Sequence, residues 1–168
     1  MIIAKSFQEI KMNLYKTATI MLVDDDPGDQ KLIKMSLESQ HITNTPIVAS
    51  SAEEALEYLQ KSKTDASVVQ PDLILLDLNM PGIGGREFLR LVKSDPDLEI
   101  IPIVVLTTSD TDKDILTSFK LQAAGYVKKP VSLVDFQEVI QTLSDYWFTI
   151  CKRIPHDSNK QNNKCFTC

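Results

Sequence analysis

Five side chains with chemistry to offer stand at the carboxyl ends of short apolar runs. Asp24 and Asp25 follow Ile20-Met21-Leu22-Val23, and Asp77 follows Leu73-Ile74-Leu75-Leu76. Thr107 follows Ile103-Val104-Val105-Leu106, and Lys129 follows Gly125-Tyr126-Val127-Lys128. If each run is a strand of one open parallel sheet, the five share a pocket, because such sheets collect function at the carboxyl ends of their strands. Three neighbouring carboxylates repel one another and call for a cation. Oxygen-only ligands select a hard ion, and Mg²⁺ suits a site that keeps positions for water and phosphate. In that setting Asp77 can act as a carboxylate nucleophile and form an acyl phosphate. Lys129 offers a positive charge to the phosphoryl oxygens and Thr107 a hydroxyl donor.

The elements that must position these residues alternate along the chain. Asp26 is an N-cap with Pro27 at the first helical position, which opens a first helix. Pro46-Ile47-Val48-Ala49 is a weak strand. Ser51-Ala52-Glu53-Glu54 has the form of a capping box and opens a second helix. Leu73-Ile74-Leu75-Leu76 is apolar throughout, as a strand buried on both faces must be. The loop through Asn79-Met80-Pro81-Gly82 and Gly84-Gly85 precedes a third helix, Arg86 to about Ser94. A fourth helix is expected from about Asp112 to Ala123, and a fifth from near Ser132 towards Phe148. Five strand–helix pairs imply an α/β fold: a parallel sheet with right-handed crossovers and helices on both faces. Residues 1–17 form an ill-defined extension, 18–150 the domain, and 151–168 a polar tail expected to be disordered.

In four segments the chain resembles the response-regulator receiver family of two-component signalling. They are Val23-Asp24-Asp25, Leu75-Leu76-Asp77-Leu78-Asn79-Met80-Pro81, Val105-Leu106-Thr107-Thr108 and Gly125-Tyr126-Val127-Lys128-Lys129-Pro130. Each alone is a weak signal; their order and their placement at strand ends are specific. The resemblance implies a flavodoxin-like, doubly wound sheet of five parallel strands in the order 2-1-3-4-5, with five helices. It implies that Asp77 accepts the phosphoryl group from a histidine kinase. It further implies that Asp24, Asp25, Asp77 and the backbone carbonyl of Asn79 hold Mg²⁺, with Thr107 and Tyr126 as a switch pair. The chain departs from the family at Gly84-Gly85, where Asp-Gly is common, and at Thr108, where a small residue is usual. The first departure predicts a more flexible loop after Asp77. The second predicts narrower access to the phosphoryl group or a restricted Tyr126. The aromatic end of the last helix resembles the subfamily of stand-alone receivers that partner bacterial phytochrome histidine kinases.

Composition bounds the rest. The 168 residues carry a net charge of −5, with 43% hydrophobic and 24% charged residues, which is globular usage. An acidic chain is a poor non-specific partner for nucleic acid. No apolar run approaches the roughly 20 residues of a spanning helix, so no membrane partner is expected. The N-terminus does not read as a signal peptide, and three cysteines clustered near one end fit a reducing cytoplasm. Too little chain follows the last helix for a folded DNA-binding output domain, and a receiver-shaped adaptor that docks without phosphoryl transfer is disfavoured by the intact acidic pocket. A haloacid-dehalogenase-like phosphatase could use Asp24-x-Asp26, Thr107 and Lys129. It would leave Asp77 unexplained, and Asp135 falls on a helix, not on the strand such an enzyme needs. A switch, not a turnover enzyme, is therefore expected. In the last helix Leu133, Phe136, Ile140, Leu143 and Trp147 make a core stripe. Val139, Tyr146 and Ile150 lie off it, which points to a homodimer through the last two helices and the last strand. Cys165-x-x-Cys168 has no strand–helix unit beside it for redox chemistry. A zinc site from Cys151, His156, Cys165 and Cys168 has irregular spacing and is not favoured. His41 is expected at the surface.

Overall fold

A computed structural model of the chain describes residues 18–39, 45–108, 111–130 and 132–147. The extension 1–17, His41, Phe148, Ile150 and the whole cysteine-bearing tail lie outside the described residues, as does the side chain of Leu133.

The order of elements is β1 (Ile20–Val23), α1 (Pro27–Ser39), β2 (Ile47–Ala49), α2 (Ala52–Thr64), β3 (Leu73–Leu76), α3 (Gly84–Lys93), β4 (Ile103–Thr107), α4 (Asp112–Lys120), β5 (Gly125–Lys128) and α5 (Leu133–Asp145). All ladders are parallel and the strand order is β2-β1-β3-β4-β5. The chain is thus a doubly wound sheet with five helices, as expected. Parallel strands covered on both sides should be apolar at every position, and every residue of β1, β3 and β4 is buried.

Side chains of alternate parity feed two cores. Met21, Val23, Ile74, Leu76, Ile103 and Val105 meet Ala52, Ala55 and Leu59 of α2 and Phe88, Leu89 and Val92 of α3. Ile20, Leu22, Leu73, Leu75, Val104 and Leu106 meet Ile33 and Leu37 of α1 and Phe136 and Ile140 of α5. Leu143 and Trp147 continue the α5 stripe, half-buried against that second core.

Register brings the strand ends level. Val23 is paired with Leu76, and Leu76 with Val105. The backbone continues the ladder for one bond beyond the strands: Asp77 N–H donates to Val23 O at 2.9 Å, Asp24 N–H to Ala49 O at 3.1 Å and Lys129 N–H to Thr107 O at 2.7 Å.

Local signals were mostly met. Asp26 caps α1 by accepting the Asp29 N–H at 2.9 Å. Ser51 caps α2 by accepting the Glu54 N–H at 3.1 Å, but the return bond differs from a capping box: the Glu54 carboxylate accepts from Ser50 N–H, one residue earlier, at 2.7 Å. Helix α3 starts at Gly84, two residues before the expected Arg86. Helix α4 ends at Lys120, short of Ala123, because Gln122 turns left-handed with φ 63°. No helix among the described residues is long and apolar enough to cross a membrane.

Candidate functional site

The site forms where β1, β3, β4 and β5 end. Asp24, Asp25 and Asp77 each offer a carboxylate oxygen, and these atoms lie within 4.8 Å of one another. Asp24 and Asp77 are buried, and Asp25 is the most open of the three. No second group of this kind forms among the described residues; Asp135 sits apart, its N–H taken by the Ser132 cap of α5 at 3.1 Å. All donors in the set are oxygen, and carboxylates this close favour a hard divalent cation.

Lys129 reaches into the group from the end of β5 and is buried with it. Its Nζ donates to Asp24 Oδ2 at 2.6 Å and to Asp77 Oδ2 at 2.9 Å. A third bond, to Asp29 Oδ2 at 2.7 Å, was not anticipated. Burial alone would lower the Lys129 pKa, but the hydrogen bonds to Asp24, Asp29 and Asp77 outweigh it and hold the ammonium above its ordinary range.

The two buried carboxylates differ. Burial raises the Asp24 pKa above the ordinary carboxylate value, in spite of the bonds from Lys129 and the Asp26 N–H. For Asp77 burial also pushes upward, yet the Asn79 N–H, at 3.0 Å from Oδ1, together with Lys129 and the Thr107 hydroxyl brings it below that value. Of the two, Asp77 is therefore the one better kept ionised, which is what a nucleophile requires.

Asn79 links this centre to β4. Its side-chain amide donates to Thr107 Oγ1 at 3.2 Å and approaches Thr108 Oγ1 at 3.5 Å. Thr107 is wholly buried, whereas Thr108 is exposed at the rim. Tyr126 is half-buried in β5, paired with Val105, and packs against the core beneath α2 and α3.

The loop after Asp77 is shaped by glycines and by a residue from another helix. Gly82 and Gly84 both have φ 76°, in the left-handed region. At Gly85 an added Cβ would lie 2.1 Å from the carbonyl oxygen of Asp77 and 2.7 Å from Leu78 Cα. Glu53, in the first turn of α2, accepts the Ile83 N–H at 2.9 Å and so ties the loop across the top of the site. Asp29 and Glu53 are the two residues that sequence reasoning missed. Asp29 had a faint signal, since it falls three residues after the Asp26 cap, one helical turn from the aspartate run. Glu53 had none.

A doubly wound sheet with an acidic cluster, a buried lysine and a threonine at its carboxyl edge is the arrangement of a phosphoacceptor-type signalling domain. A family model described as the response regulator receiver domain matches residues 20–141, and the chain belongs to that family. It is 36% identical over 128 residues to the response regulator Rcp1 of Synechocystis sp., an alignment covering 76% of this chain and 87% of that protein. Among solved structures it is similar to the phosphorylated cyanobacterial phytochrome response regulator RcpA, with TM-score 0.76 and 34% identity, covering 82% of this chain and 98% of the other. It is also similar to the Mn²⁺-bound form of Rcp1, with TM-score 0.75 and 33% identity, covering 82% and 99%. As a receiver, the chain is a two-component signalling switch that takes a phosphoryl group from a histidine kinase.

Proposed function

We propose that Asp77 is the phosphoacceptor and that Asp24, Asp25, Asp77 and the Asn79 carbonyl hold Mg²⁺. The observation that carries the reading is the Lys129–Asp77 bond beside three carboxylates within 4.8 Å. The Asp77 carboxylate forms the new O–P bond as the P–N bond of a kinase phosphohistidine breaks. The ring nitrogen keeps the bonding pair, and the imidazole leaves neutral on the proton of its other nitrogen. Lys129 steadies the phosphoryl oxygens, and Thr107, which accepts from Asn79 and donates to Asp77 at rest, turns its hydroxyl towards one of them. Mg²⁺ when bound offsets the carboxylate charge and the charge that gathers on the phosphoryl oxygens. Tyr126 then follows Thr107 inward from its half-buried position and alters the outer face of β5.

The reader of that change is a partner surface. Leu116 and Phe119 on α4, with Val134 and Tyr146 on α5, are large apolar side chains left exposed, which supports a homodimer through α4, β5 and α5. The likeness to RcpA and Rcp1 favours a phytochrome histidine kinase as donor. Such a donor fits a cytoplasmic chain that works as a stoichiometric switch without external substrate turnover. Mass spectrometry after phosphoramidate and Mg²⁺ tests the centre: the wild type gains one phosphoryl group and Asp77→Asn gains none. Label retained in Asp77→Asn, or none in the wild type, overturns the assignment.

A further inference from the structure

Lys129 has no donor left for a phosphate. A lysine ammonium carries three N–H donors, and here all three are committed to carboxylates: Asp24, Asp77 and Asp29, at 2.6, 2.9 and 2.7 Å. Contact with a phosphoryl oxygen therefore requires one of these bonds to break. The three acceptors are not equivalent. The side chains of Asp24 and Asp77 are 1% and 8% exposed, while that of Asp29 is 33% exposed. Water can replace Lys129 at Asp29 with little loss, whereas at the two buried carboxylates only another cation can.

Asp29 is also held in place without Lys129. Its N–H is bonded to Asp26 Oδ1 at 2.9 Å, and the Asp26 N–H to Asp24 Oδ1 at 2.9 Å. The Gln30 amide reaches back to the Asp24 carbonyl at 2.6 Å. The first turn of α1 is thereby stitched to the end of β1, so the backbone that carries Asp29 stays within reach of the ammonium whether or not the bond is made.

We propose that Asp29 is a positioning residue that holds the third N–H of Lys129 in the resting site and releases it to the phosphoryl group. It acts as a competitor: the bond it makes must be given up when Asp77 is modified, so it sets how readily the site accepts phosphate. This rests on Asp77 being the phosphoacceptor.

The test uses the full chain with Mg²⁺ and beryllofluoride, a phosphoryl mimic, followed by ¹⁹F NMR. Asp29→Asn weakens the competing acceptor and Asp29→Ala removes it, so both should bind the mimic more tightly than wild type. The expected gain is about fivefold, equivalent to ~1 kcal/mol, the size of a partly exposed ion pair. Asp29→Glu, which keeps the charge, should return the affinity towards wild type. The gain should persist in 0.5 M KCl, roughly three times physiological ionic strength, because a freed donor is not screened as a general loss of negative charge would be. A merely structural role would weaken binding, not strengthen it. Unchanged or weaker binding in both neutral variants, or a gain abolished by salt, overturns the proposal while leaving Asp77 in place. A wild type that binds no mimic and takes no phosphate overturns both.

Discussion

Replacing Gly85 by alanine should damage this protein far more than its surface neighbours suggest. The new Cβ would lie 2.1 Å from the Asp77 carbonyl oxygen, 2.7 Å from Leu78 Cα and 3.0 Å from the Asp77 carbonyl carbon. All three are backbone atoms of the loop that carries the acceptor aspartate, so none can swing aside as a side chain would. Relief requires α3 and the loop to part by about 1 Å, and overpacking of that kind costs about 3 kcal/mol. The separation also stretches the Gly85 N–H bond to Leu78 O, already 3.3 Å, which adds about 1 kcal/mol. For a chain of this length about 4 kcal/mol lowers Tm by roughly 10 °C. Gly84→Ala is the matched control: its Cβ meets nothing within 4 Å, and only φ 76° opposes it. That strain costs about 1–2 kcal/mol. Thermal melts in EDTA compare the two directly, and phosphoramidate labelling should show Gly85→Ala slowed as Asp77 is pushed off its hydrogen bonds. A Gly85→Ala protein that melts within 3 °C of wild type, or no lower than Gly84→Ala, would refute the close-approach argument (3 °C being roughly 1 kcal/mol here).

Three further outcomes follow from the site. Burial raises the Asp24 pKa, so the folded state binds a proton more readily than the unfolded chain. The ionised Asp24 therefore costs stability above its folded pKa, and that cost disappears as pH falls through it. The stability of Asp24→Asn relative to wild type in EDTA should accordingly be greater at neutral pH than in acid; a difference between the two proteins that does not change with pH contradicts this. Lys129→Ala strands two buried carboxylates and should lose about 3 kcal/mol in EDTA, part of it restored by Mg²⁺. A melt indifferent to Mg²⁺ would show that the cluster does not hold the ion. Tyr146→Glu places a charge just past the end of α5 and should keep the protein monomeric with beryllofluoride, where the wild type should sediment as a dimer; a dimer in both removes that surface from the interface.

Much of this was legible because parallel strands announce themselves. Leu73-Ile74-Leu75-Leu76 has no polar residue to place in water, so it belongs in the middle of a sheet, and β3 is central. Once β1, β3, β4 and β5 are in one parallel sheet, the residue after each strand end is in the pocket, and Asp24, Asp77, Thr107 and Lys129 need no further argument. The residues that escaped have local explanations that hide their distant ones. An aspartate in the first turn of a helix already favours the helix dipole, and its place one turn from the aspartate run is too faint a mark to single out Asp29 as the partner of a lysine 100 positions away. Glu53 similarly fits the acidic start of α2, yet its carboxylate crosses to Ile83, 30 residues on. Gly84-Gly85 looked like loop because glycine is a poor helix former. Close backbone approach, not flexibility, is what Gly85 provides.

The unequal seating of the helices indicates where a signal can leave the pocket. Helix α3 buries Phe88, Leu89 and Val92 completely, and α5 buries Phe136 and Ile140. Helix α4 buries only Ser118 among its own described residues and leaves Leu116 and Phe119 half in water. Asp114 pairs with Arg86 of α3, whose side chain is exposed, and pairs open to water contribute little. An element with few buried apolar contacts opens at the low end of the free-energy scale. Helix α4 follows β4, whose last residue is Thr107, and packs beside β5, which leads into Lys129. Thr107 and Lys129, which on the proposed reading respond to modification of Asp77, are thus at the ends of the strands beside this lightly anchored helix. A small displacement at Thr107 or Lys129 meets least resistance there, and stiff packing around α3 directs it outward to α4 and β5 instead of into the core.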